Sequence, residues 1–214
     1  MKNQEKTTVL YVFDPLCGWC YGFSHVMVKL YENYKDNIEF DVISGGMVVG
    51  DRIGPLGEKA AYIKDAYKVV EQKMGVKFGD EYLNKVLEEG TAIQTSIPAS
   101  KLLVAFKSLN ESQGVLFAHE LQNALYVDGV HPDNMEGLLE KCDTFGVSKG
   151  DILTIANSKE VEGAMNHDFE LSSRLGVTGF PTVFVIKDNA INVIARGADS
   201  YENVSGRLDE IIGQ

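Results

Sequence analysis

Cys17-Gly18-Trp19-Cys20 places two thiols three residues apart, directly after the apolar run Val9-Leu10-Tyr11-Val12-Phe13 and an Asp14-Pro15 break. At a helix start this spacing puts both sulfurs on one turn, where they can close a small disulfide ring and where unpaired N–H groups stabilise a thiolate. The flanking sequence predicts that setting. Thr7 to Phe13 is β-branched and aromatic without a helical period, as in a buried strand, and Gly18 to Tyr34 sets Phe23, Val26, Met27 and Leu30 at helical spacing. Ile38 to Ile43 alternates apolar and polar residues ahead of Ser44-Gly45-Gly46, which predicts a second strand, parallel to the first by the usual crossover.

From Pro55 to Asn157 strand-like runs give way to amphipathic segments separated by Gly, Asn and Ser. The stretch is expected to be wholly helical: Glu58 to Met74, Asp80 to Glu89, Pro98 to Leu109, Ser112 to Val127, Asp133 to Phe145 and Ser148 to Asn157. Asp133 with Glu136 has the form of a capping box, and Gly146 is placed to stop that helix. Ser158 to Leu175 reads as one more helix. Thr182 to Ile186 and Ile191 to Arg196 then flank an Asp188-Asn189 turn as a hairpin, and Tyr201 to Ile212 is a terminal amphipathic helix. The expected class is α/β, with residues 1–54 and 158–214 forming one domain and 55–157 inserted as a helical domain.

Composition narrows the partners. The 214 residues carry a formal net charge of −11, and the basic residues are scattered, which argues against nucleic acid or an anionic membrane surface. The apolar run before Asp14 is too short for a signal sequence or a membrane span, so a cytoplasmic chain is expected. Three cysteines without a secretory signal favour a redox or metal role for Cys17 and Cys20 over a disulfide framework.

A second motif lies far downstream. Gly179-Phe180-Pro181-Thr182 sets a proline at the head of an apolar strand, where it leaves backbone groups of the preceding residue free to pair with an extended peptide. Asp14-Pro15-Leu16-Cys17-Gly18-Trp19-Cys20 together with this loop resembles the thioredoxin superfamily, and the helical block resembles its DsbA-like branch, in particular the FrnE-like cytoplasmic members. The resemblance implies a thioredoxin-like fold with a large all-helical insertion. It also implies a thiol–disulfide oxidoreductase in which Cys17 exchanges with a substrate sulfur, Cys20 resolves the mixed disulfide, and Trp19, Phe180 and Pro181 meet the substrate. The substrate would be a protein disulfide or thiol, or glutathione, with no metal or organic cofactor. A helix N-terminus lowers a cysteine pKa from about 8.5 toward roughly 3.5–7.5, which favours the same assignment of Cys17.

Two further readings stand beside it. Kappa-class transferases and hydroxychromene-carboxylate isomerases share the helical insertion and use glutathione, but characteristically carry Ser at the first position of the motif, where this chain has Cys17. A redox-switched holdase would use the apolar rim alone. Structural zinc needs about four ligands, and no second CxxC is present; haem attachment would need His where Tyr21 stands. His25, His119, His131 and His167 are isolated and are assigned no catalytic role. Cys142 follows Leu138 and Leu139 at helical spacing and is read as a small core residue. Asp14 could move a proton, yet a carboxylate beside a thiolate also raises the thiol pKa, so it is left outside the site.

Overall fold

The computed structural model describes residues 7–140 and 142–213; the polar stretch before Thr7, Lys141 within the Asp133 to Phe145 segment, and Gln214 lie outside the described residues. Strand β1 (Thr8–Phe13) leads into helix α1 (Gly18–Tyr34), which crosses to β2 (Glu39–Ser44), parallel to β1 with Val9 opposite Phe40 and Tyr11 opposite Val42. Because successive side chains on a strand face opposite ways, β1 serves two cores. Val9, Tyr11 and Phe13 join the large cluster built with α1 and the helical block, while Leu10 and Val12 pack with Ile43 and Phe184 in a smaller one. Burial on both faces explains the unbroken apolar run in the sequence.

The stretch 55–157 is mostly helical but not wholly so. Gly54–Pro55 (β3) pairs antiparallel with Ile93–Gln94 (β4) around α2 (Ala60–Met74) and a helical turn. That turn, expected as an ordinary helix over Asp80 to Glu89, is π-helical at Tyr82–Leu87. Its i→i+5 bonding widens the turn and brings Tyr82, Val86 and Leu87 together on the buried side. Helices α3 (Ile97–Leu109) and α4 (Gly114–Tyr126) follow.

The segment Asp133 to Phe145 does not form one helix. It holds a single turn, α5 (Met135–Leu138), and a 3₁₀ turn at Cys142–Phe145. The cap is Asn134, not Asp133: its side-chain oxygen accepts the Gly137 N–H at 3.0 Å, and a glycine so early in the turn weakens propagation. Helix α6 (Lys149–Ala156) leads to α7 (Lys159–Arg174), capped by Ser158 through the Val161 N–H. Strands β5 (Thr182–Lys187) and β6 (Ala190–Arg196) form the hairpin, with Asp188 and Asn189 both at positive φ, and α8 (Tyr201–Ile212) ends the described chain. The four-stranded sheet has the order β2-β1-β5-β6, so β5 lies antiparallel against β1 and carries the proline loop to the end of β1 where α1 begins.

Candidate active site

Pro15 and the tight turn after β1 bring Cys17 to the N-cap of α1, in extended conformation, with its sulfur accepting the Cys20 N–H at 3.4 Å. A sulfur in that position meets the positive end of the helix, an arrangement that suits negative charge. Both thiols are free. Cys17 is 8 % exposed and Cys20 is fully buried, so one sulfur is open to a visiting molecule and the other lies behind it. Burial, and then the neighbouring Cys17, hold the Cys20 thiol well above the usual cysteine range.

The proline loop forms the opposite wall. The Cys17 thiol donates to the Phe180 carbonyl at 3.6 Å, across 163 residues of sequence. The Phe180–Pro181 peptide is cis, and the Pro181 carbonyl accepts the Gly197 N–H at 2.8 Å, which ties the loop to the end of β6. Trp19 and Phe180 are both half-buried against the core. Trp19 separates two cavities. One, of about 800 Å³, runs between Phe180, Lys29, Lys73, Asp199 and Ser200; the other, of about 410 Å³, opens beside Cys17 among Tyr67, Val70, Phe78, Tyr126 and Arg52.

The sequence reading left Asp14 outside the site and did not single out Ser96, Gln122 or Arg52. Asp14 is fully buried under the motif, its oxygens accepting from the Leu16 N–H (2.9 Å), the Ser96 hydroxyl (2.9 Å) and the Met47 N–H (2.7 Å). Burial pushes its pKa from 3.8 up to about 6, against the pull of these bonds and of Arg52. Gln122, buried on α4, sets its amide against the backbone of the Asp14 to Tyr21 turn. Ser96, Gln122 and Arg52 lie 35 to 105 residues from Cys17 in sequence and sit in no local motif, so only the fold brings them there.

Of the histidines, His25 borders the larger cavity and His119 bonds Ser24 at 2.7 Å, away from the sulfurs. Cys142 is buried, with its pKa pushed to about 12 by burial. Among the described residues no group of three His, Cys, Asp or Glu side chains is arranged to hold a metal ion, and no helix is long and apolar enough to cross a membrane.

A mixed four-stranded sheet with a dithiol capping the first helix and a proline loop facing it defines a thioredoxin-like protein. The model of the DSBA-like thioredoxin domain matches residues 8–209, and the chain belongs to that family. Its fold is shared by a Nitrosomonas europaea protein thought to be a disulfide isomerase (TM-score 0.86, 23 % identity, covering 98 % of this chain and 99 % of that one). The cytosolic disulfide reductase DsbM from Pseudomonas aeruginosa is similar as well (TM-score 0.82, 24 %, 96 % and 98 %). A 2-hydroxychromene-2-carboxylate isomerase is more distant (TM-score 0.62, 15 %, 96 % and 96 %). No curated protein sequence matches the chain.

Proposed function

We propose that the protein is a DsbA-like thiol–disulfide oxidoreductase, with Cys17 as the exchanging thiol, Cys20 as the resolving one, and Trp19, Phe180 and Pro181 as the surface that receives substrate. The carrying observation is the pair of free thiols at the start of α1, with the outer sulfur 3.6 Å from the Phe180 carbonyl. In the reducing direction the Cys17 thiolate attacks a substrate disulfide, one substrate sulfur leaves, and Cys20 displaces the other. No metal or organic cofactor is needed for this exchange, and a cytoplasmic setting fits it. The stretch 55–157 acts in this reading as an inserted unit that walls the dithiol on the side away from the proline loop, through Tyr67, Val70, Phe78 and Tyr126. Reduction of a model protein disulfide with a dithiol donor tests it: Cys17→Ser should abolish turnover, and full activity in that variant would overturn the assignment.

A specific feature favours glutathione as the small thiol partner. The larger cavity beside Trp19 and Phe180 presents Lys29 and Lys73 together with Asp199, charges of both signs that suit a peptide bearing two carboxylates and an ammonium group. DsbM, which shares the fold, has been solved with GSH. Saturable dependence of the reaction on glutathione, weakened by Lys73→Ala, is the expected result; a linear dependence with no effect of Lys73 would count against it.

A further inference from the structure

Tyr11 sits in the middle of β1, 1 % exposed, and its hydroxyl is a buried side-chain polar atom without a hydrogen-bond partner. Its ring is fixed between Phe13 and Phe23, at centroid distances of 5.4 and 6.2 Å, so the phenol cannot swing out to water. The oxygen end lies by the dithiol: Cys20 and Cys17 are the groups whose charge acts on it, although neither sulfur accepts a hydrogen bond from it in this thiol state. An orphaned hydroxyl costs stability in a core, and Phe would fill the same space on a strand that is otherwise apolar. The group has a use in another state of Cys20. A neutral thiol is a weak acceptor, whereas a thiolate is a strong one.

We propose that the Tyr11 hydroxyl is the donor that receives the Cys20 thiolate while the mixed disulfide is resolved. The inference rests on the thiol–disulfide exchange reading above. In that step Cys20 Sγ bonds to Cys17 Sγ, and the bond from Cys17 Sγ to the substrate sulfur breaks. Its electron pair leaves with the substrate sulfur, which takes up the proton that Cys20 has lost. The two protein sulfurs are oxidised to a disulfide and the substrate sulfur is reduced to a thiol. Charge therefore appears on Cys20 only in passing, in a site otherwise closed to water. The Asp14 backbone also favours charge on that sulfur, and the Asp14 carboxylate, Cys17 and the Tyr126 phenol are the other titratable groups that act on it. The Asp14 carboxylate opposes the thiolate and the Tyr126 phenol acts on Cys20 only through its charge, which leaves Tyr11 as the side chain placed to donate to it.

An aromatic disulfide that releases a coloured nitrothiolate separates the two steps. Its first equivalent reports attack by Cys17 and its second reports resolution by Cys20. Tyr11→Phe should leave the first phase unchanged, slow the second by about tenfold, and move the pH midpoint of the second upward by about one unit, as expected for loss of one bond to a charged sulfur. The variant should also melt no lower than the wild type, since it removes an unsatisfied hydroxyl. An unchanged second phase would overturn the proposal, as would slowing of both phases together with a lower melting temperature, which would mark a packing role. Failure of the wild type to release either equivalent would instead overturn the exchange reading on which the proposal depends.

Discussion

Phe180 lies directly across Gly45: a Cβ placed on Gly45 would stand 2.0 Å from Phe180 Cε1 and 2.1 Å from Cζ. The loop after β2 thus forms the floor on which the proline loop rests, and the neighbouring Gly46, at φ +65°, is packed by Phe169, whose Cγ would stand 2.8 Å from a Cβ there. Gly45→Ala must push the Phe180 ring aside and with it the carbonyl that faces Cys17. Overpacking of this kind costs about 1–3 kcal/mol, so a loss of about tenfold in kcat/KM for disulfide exchange is expected. The rate of Cys17 alkylation by a small reagent should stay near wild type. Combining Gly45→Ala with Phe180→Ala should cost less than the two changes summed, and strict additivity would show that the contact does not carry the effect.

The buried carboxyl of Asp14 gives stability a defined pH dependence. Its folded pKa of about 6 lies above the ordinary 3.8, so between those values the folded state binds more protons than the unfolded one. Stability from this group therefore falls as pH rises through the window, by about 3 kcal/mol in all at about 1.4 kcal/mol per unit. Asp168, also raised to about 6 by burial, adds to the same slope. Denaturant unfolding at pH 4 and pH 7 should show a smaller difference in Asp14→Asn than in the wild type, with the residual slope set by Asp168 and, in the opposite sense, by His25, whose pKa burial lowers. Equal pH slopes in the two proteins would refute the assignment.

The two motifs that bound the site were legible because each is local: a dithiol at a strand-to-helix junction, and a proline opening an apolar strand. The element order was readable for the same reason, since β1 and β5 are unbroken apolar runs and α7 and α8 keep a helical period between a serine cap and a closing glycine. What escaped was set by tertiary contact. Nothing near Ser96 announces a bond to Asp14, and nothing near Gly45 announces an aromatic ring above it. The π-helical turn at Tyr82–Leu87 and the short β3–β4 pair are likewise choices made by packing, because their local sequences fit an ordinary helix and a loop equally well.

Gly22 lies at a close approach of α1 and α2. A Cβ there would lie 2.7 Å from Val70 Cγ1 and 2.9 Å from Met74 Cγ. Alanine gains about 1 kcal/mol over glycine in a helix interior, but the stiff Val70 side chain cannot yield as Met74 can, and overpacking costs about 1–3 kcal/mol. Gly22→Ala is therefore expected to be neutral to destabilising by about 1–2 kcal/mol in denaturant unfolding, against the gain that helix propensity alone would give. A clear stabilisation would show that α2 shifts freely against α1.

The three cysteines should differ in reactivity in the order of their access. Cys17 keeps the little exposure the dithiol has, Cys20 is sealed behind it, and Cys142 is enclosed by core side chains, with its pKa pushed to about 12 by burial and by the adjacent Asp143. The thiolate is the reacting form, so both the lack of access and the raised pKa act against Cys142. Brief alkylation of the native reduced protein, mapped by mass spectrometry, should label Cys17 first, with Cys142 modified only after unfolding. Cys142→Ala should retain full exchange activity and lose about 1 kcal/mol of stability to the small cavity it leaves. Rapid native labelling at Cys142, or loss of exchange in its alanine variant, would move that thiol from the core into the chemistry.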